Sequence, residues 1–176
     1  MKKQKISHDR TEIFFVLLLC VVALFLISVQ TAFLSPLRLF GGVPDLMLAF
    51  TVSVGLFRGE KYGGAFGIFA GVLSYAVGGG GVTILPLFYM LCGYFAPVCQ
   101  ALLPANSFLS RAAICAGSCI ADMFALLIGA VLRLGEFSLS VFFVREMLPA
   151  LCLTALFFPA VFFLLLPICR IGLKRQ

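Results

Sequence analysis

Charge is what this chain has least of: 11% of its 176 residues are Asp, Glu, Lys or Arg, where a soluble domain carries about 25%. With 62% of its residues hydrophobic, no water-facing surface could be assembled around a core of ordinary proportions, which excludes a soluble globular domain. Histidine is almost absent too, the single copy being His8 near the N-terminus, and no C-x-x-C occurs. Cys115 and Cys119 stand one helical turn apart but lack the companions of a zinc or soft-metal centre. The seven cysteines (Cys20, Cys92, Cys99, Cys115, Cys119, Cys152, Cys169) are odd in number and fall within or at the end of apolar runs. They read as small packing residues, not as a disulfide framework, and neither a metal nor a cofactor is expected.

The patterns of catalysis are missing as well. Work on a glycosidic bond needs paired carboxylates, and nucleophilic catalysis needs a base beside a serine or cysteine. Neither constellation occurs, so no catalytic residue is expected. The glycine run near residue 67 does not follow a strand and lacks the G-K-[ST] ending of a phosphate-binding loop. The net charge of +6 needs no nucleic acid, because basic flanks beside an anionic lipid surface account for it.

What the chain does have is a series of apolar runs close to the roughly 20 residues that cross a bilayer. Spans are expected at about 13–34, 44–57, 62–77, 82–103, 112–132 and 147–169, in an all-α integral membrane protein with a six-transmembrane-helix bundle. Residues 13–169 form a single membrane domain between basic tails at 1–12 and 170–176. Lysine and arginine concentrate on the cytoplasmic side of short loops. With the N-terminus inside, Lys2, Lys3, Lys5, Arg10, Arg58, Lys61, Arg111, Arg170, Lys174 and Arg175 are cytoplasmic, and Arg38, Arg133 and Arg145 lie outside. Ten against three favours an even number of crossings, with both termini cytoplasmic. The opening MKKQKISHDR and the apolar run behind it imitate a secretory signal, yet the run 13–28 exceeds an h-region and no A-x-A cleavage pattern follows; a retained first helix is expected.

Connections are short: Gly41-Gly42 before the second helix, RGEK at 58–61, GGGG at 78–81, LPANSFLSR at 103–111 and LGEFSLSVFFVRE at 134–146. The last mixes polar residues with Phe137, Val141, Phe142, Phe143 and Val144, as an amphipathic segment lying along the outer interface would. The second and third spans, at about 14 and 16 residues, reach roughly 21 and 24 Å, short of a ~30 Å hydrocarbon layer. They are shielded by neighbours, thin the bilayer, or extend past these boundaries. Pro86, Pro97, Pro149, Pro159 and Pro167 fall in the fourth and sixth spans, where kinks are expected.

Two stripes stand out. In KYGGAFGIFAGVLSY (61–75), Gly63, Gly67 and Gly71 recur at every fourth position and Ser74 continues the face. Small residues on one face let membrane helices approach closely, so this is expected to be a contact surface, either within the bundle or toward a partner. In the fifth span Arg111, Cys115, Ser118, Asp122, Ala125 and Gly129 follow at steps of three and four. An ionised mid-span aspartate costs roughly 2.5–3.5 kcal/mol on insertion scales, so Asp122 must face the bundle interior, be protonated or find a partner. Tyr75, Tyr89, Gln100, Gln30 and Thr31 are its hydrogen-bonding candidates.

Several stretches taken together carry a resemblance: QTAFLSPLRLFGG closing the first helix, VPDLMLAF opening the second, RGEKYGGAFGIFAGVL, GGGGVTILPLFYMLCGY, and SCIADMF in the fifth. With the size and the six-span layout they resemble the rod shape-determining protein MreD family over most of the chain. Pro44, Asp45, Gly63, Gly67, Gly71 and Asp122 occupy positions of the family pattern, whereas Ser74 and Tyr75 stand where the family often has an acidic residue. The resemblance implies a non-catalytic subunit of the bacterial cell-elongation machinery in the plasma membrane. It implies binding to an MreC-like bitopic membrane protein and an indirect link between MreB filaments and peptidoglycan synthases. It also implies a fold resembling the substrate-binding subunits of energy-coupling-factor vitamin importers, which supplies the rival reading. Against that rival, 13–34 lacks the A-x-x-x-A motif common in the first helix of those subunits, and the outer loops are poor in groups that fix a ligand.

Overall fold

The computed structural model describes residues 2–37, 43–78, 84–103, 108–134 and 148–173. The expectations for Gly41-Gly42, for most of the GGGG turn and for 135–146, and the side chains of Arg38, Arg133 and Arg145, lie outside the described residues and side chains. Every regular element described is helical. Six long helices follow one another: α1 (Lys2–Val29), α2 (Leu46–Arg58), α3 (Glu60–Val77), α4 (Leu85–Leu102), α5 (Phe108–Leu134) and α6 (Leu148–Leu173). Helix α1 runs on without a break into a π-helical stretch, Gln30–Leu34, closed by the backbone N–H of Ser35 donating to the Gln30 carbonyl, and then into a last turn, Ser35–Leu37.

Helix α2 forms the axis. Its start is fixed locally: Asp45 caps it, Oδ1 accepting from the backbone N–H of Met47 and of Leu48, each at 3.0 Å, an arrangement that satisfies two of the amides a helix leaves unpaired. The ten residues 46–55 are all buried, and α2 touches each of the other five helices. Its 13 residues reach only about 20 Å, and the neighbouring helices enclose them.

The link from α2 to α3 is tighter than an RGEK loop. Arg58 ends α2 and Glu60 begins α3, so Gly59 alone turns the chain, at φ 89°, a left-handed conformation that only glycine adopts cheaply. Arg58 is not a loop cation either: its side chain is 5% exposed. The guanidinium lies 4.0 Å from the Phe15 ring centre and 5.3 Å from that of Tyr62, 3.9 Å from Glu12. Tyr62 in turn donates its hydroxyl to Glu12. This staple ties the lower ends of α1, α2 and α3 together, and at the same end Arg111 of α5 stacks over Phe162 of α6 at 5.3 Å.

Among the described residues three helical stretches are long and apolar enough to cross a membrane: Glu12–Leu34, Leu85–Leu102 and Leu148–Cys169. The chain is accordingly a membrane protein. Large apolar side chains line the outside, among them Phe14, Leu17 and Phe25 of α1, Ile68 of α3 and Phe163 of α6, as a lipid-facing surface requires and a water-facing one forbids. Of the prolines expected to kink helices, Pro86 and Pro149 sit in the first turns of α4 and α6, where no intrahelical amide is lost. Pro97, Pro159 and Pro167 lie inside their helices.

Candidate functional site

The two stripes meet the rest of the bundle differently. The glycines of α3 lie backbone to backbone against α4. A Cβ added at Gly63 would stand 2.2 Å from the Gly93 carbonyl oxygen, at Gly67 2.4 Å from that of Tyr89, and at Gly71 2.4 Å from the Pro86 Cα. Helix α4 therefore covers this face, and α3 and α4 form the most intimately packed pair. Gly93 answers from the other side, its own added Cβ falling 2.2 Å from the Gly63 carbonyl oxygen, and Gly55 of α2 closes on the same point, where a Cβ added to it would stand 2.4 Å from the Gly93 oxygen. Three helices thus converge where only glycine fits, a junction the spacing in α3 alone does not reveal.

The close approach of α3 and α4 has a consequence one turn above. Gly67 backs directly onto Tyr89, whose ring is buried at 2% exposure and whose hydroxyl donates to Oδ2 of Asp45. Asp45 is thereby saturated: two backbone amides on one oxygen and a phenol on the other. Its own N–H donates to the Thr154 hydroxyl of α6 at 2.9 Å, and that hydroxyl donates in turn to the Ala150 carbonyl at 2.8 Å. The next amide, Leu46, donates to Oε1 of Gln30 at 3.0 Å. Gln30 opens the π-helical stretch, and such wide turns are frequent where a helix is shaped around a site.

Asp122 arrives from α5. The Cys92 thiol points at the Ser118 carbonyl at 3.9 Å, which sets the register between α4 and α5. Because these helices run antiparallel, one turn back on α4 (Tyr89) and one turn forward on α5 (Asp122) bring the two residues to the same level. Asp122 is 2% exposed, interacts electrostatically with both Tyr89 and Asp45, and leaves its Oδ1 with no hydrogen-bond partner. Ser74 of α3 stands beside the Tyr89 hydroxyl.

Counting the π-helical extension of α1 and the N-cap of α2, each of the six helices therefore brings one polar residue to a single cluster, in which Tyr89, Asp122 and Thr154 are buried and Gln30, Asp45 and Ser74 half-buried. Of the candidates proposed as neighbours of Asp122, Tyr89 is beside it and Gln30 belongs to the cluster through Leu46. Thr31 instead caps its own helix, donating to the Ile27 carbonyl at 2.8 Å. Gln100 lies three turns further along α4, toward the Arg111 end. Cys115 of the α5 stripe is fully buried, while the side chain of Ala125, and the surroundings of Gly129, lie outside those described. Sequence reading missed Thr154, whose neighbourhood is apolar and gives no signal. It also missed the part of Asp45 as hub, which an aspartate at the start of an apolar helix does signal.

Among the described residues, no three His, Cys, Asp or Glu side chains converge as a metal centre requires. A separate open cleft of about 500 Å³ lies between α4 and α5, lined by apolar groups such as Phe88, Phe95 and Ile114, and it offers little to orient a polar ligand. Comparison with protein-family models, with curated proteins and with solved structures finds no match for this chain.

Proposed function

We propose that the chain is a non-catalytic plasma-membrane subunit of a bacterial cell-elongation machinery, of the kind the MreD family represents. It crosses the membrane six times with both termini in the cytoplasm, in a fold resembling the substrate-binding subunits of energy-coupling-factor importers. It binds an MreC-like bitopic protein and, through it, links MreB filaments to peptidoglycan synthases. The observation that carries this reading is the convergence of the polar positions that the resemblance singles out. Asp45, entered through Pro44, and Asp122 are 77 residues apart in sequence, yet both belong to one cluster inside the bundle, Asp122 buried and Asp45 half-buried, and they interact electrostatically. Ser74, at a position where the family often has an acid, faces the same cluster. On this reading the cluster holds the six helices in one arrangement, and the glycine face of α3 serves that arrangement rather than a partner.

The test is deletion of the gene in its own host, followed by pull-down of the tagged, full-length chain from solubilised membranes. Loss of rod shape together with recovery of an MreC-like protein supports the proposal. Normal cell shape, or recovery of an importer ATPase pair in place of the MreC-like protein, refutes it.

A further inference from the structure

We infer that α5 is a swinging helix with a second, closed position, in which it moves into the cleft against α4 and the Ser74 hydroxyl donates to Oδ1 of Asp122. Two buried polar atoms of the cluster have no hydrogen-bond partner: Oδ1 of Asp122 and the hydroxyl oxygen of Ser74. Both residues neighbour Tyr89, whose own proton is committed to Asp45. A donor and an acceptor left unpaired in an apolar interior are each costly, and each is what the other lacks. They sit on different helices, so a movement of one helix against the rest is what pairs them.

Helix α5 is the one free to move. The bonds of Asp45 and Leu46 already tie α2 to α4, α6 and the end of α1, and α3 is locked to α4 by backbone contact along its glycine face, so Ser74 travels with α4. What joins α5 to α4 at this level is the Cys92 thiol, a weak donor, at 3.9 Å from the Ser118 carbonyl. Below it the two helices are parted by the open apolar cleft of about 500 Å³. Gly117 faces that cleft, and a Cβ added to it would meet nothing within 4 Å, the opposite of Gly63, Gly67 and Gly71. The inner end of α5 is held, with Arg111 over Phe162 of α6, eleven residues before Asp122 or about 16 Å along the axis. A small tilt about that end closes the cleft and carries Asp122 toward Tyr89 and Ser74, a motion of the shear kind that packed helices undergo. The cluster thus braces five helices through contacts already made and reserves one bond for the sixth.

This inference does not depend on the proposed cellular role. The experiment uses the full-length chain in nanodiscs, carrying Phe95→Cys and Gly117→Cys on the two walls of the cleft, both exposed positions. A disulfide needs Cβ atoms about 3.8 Å apart, and no side chain comes within 4 Å of the Cβ position at Gly117 in the open arrangement, so a mild oxidant links the pair only when the cleft closes. Peptide mass mapping separates a link between positions 95 and 117 from links through the native cysteines. The link is expected to form, to form more slowly by about fivefold or more when Ser74→Ala removes the donor, and to recover in Ser74→Thr, which keeps a hydroxyl. No link between the two positions overturns the closed arrangement, even where the Ser74 variants do not fold. An equal rate in Ser74→Ala, or no recovery in Ser74→Thr, overturns the part given to Ser74 and Asp122. Each of these leaves recovery of the MreC-like partner, and with it the proposed function, to stand or fall separately.

Discussion

Replacing Gly67 by alanine adds one carbon, and the structure fixes where it goes: 2.4 Å from the Tyr89 carbonyl oxygen and 2.7 Å from the Met90 Cα. Ordinary contact begins at 3.4 Å, so α3 and α4 must part by about 1 Å, because backbone atoms cannot rotate away as a side-chain tip can. A gap of that size forfeits a quarter to a half of each van der Waals contact, and at 0.1–0.2 kcal/mol per atom pair a few tens of pairs along the glycine face lose about 2 kcal/mol. Tyr89 is carried with α4, which stretches its hydrogen bond to Asp45 and adds about 1 kcal/mol. The expected cost is about 3 kcal/mol for alanine and more for isoleucine, offset in part by alanine's better helix propensity of roughly 1 kcal/mol. The assay is thermal unfolding of the purified chain in detergent, with Ile68→Leu as control, since Ile68 is 46% exposed on the lipid-facing side of the same helix. A Gly67→Ala protein as stable as the control refutes the backbone-contact reasoning.

Other changes test the cluster and the lower staple. Asp45→Ala removes an N-cap worth about 0.5–2 kcal/mol and leaves the Tyr89 hydroxyl without its acceptor, so it is expected to destabilise more than Asp45→Asn, which keeps an acceptor oxygen; equal melting temperatures would contradict the assignment of Asp45 as hub. Gly59→Ala forces a Cβ into a left-handed turn at φ 89°, with about 1–2 kcal/mol lost although the added atom meets nothing within 4 Å. An unchanged melting temperature would show that the turn relaxes. Asp122→Leu, too large and apolar for a cluster position, is expected to lower membrane accumulation more than Asp122→Asn, and the reverse order on immunoblots would count against a buried polar role. Reporter fusions at residue 5, in the 78–81 turn and at the C-terminus are expected to read inside, outside and inside; a C-terminal reporter active only outside removes the six-span topology.

The sequence by itself determined that the chain is helical and lives in lipid, because a shortage of charge over long apolar runs has one physical outlet. It also located the glycine face of α3 and the burial of Asp122, since a small-residue repeat and a lone acid in an apolar helix are local patterns with a local meaning. Tertiary structure alone decided what each of these meets. Gly63 fits only because Gly55 and Gly93, on two other helices, leave room at the same point. Asp122 reaches Tyr89 and Asp45 only because antiparallel α4 and α5 are in the register marked by Cys92 and Ser118. Arg58, which counts as a cytoplasmic loop charge when the sequence is read alone, is drawn under Phe15 by a one-residue turn at Gly59. In a bilayer the apolar pattern sets depth but says little of azimuth or neighbour, since lipid tails are as apolar as the facing helix. Which helix face finds which partner is settled by close packing and by the few polar groups that must be satisfied inside, and those are relations between distant residues that no single stretch of sequence contains.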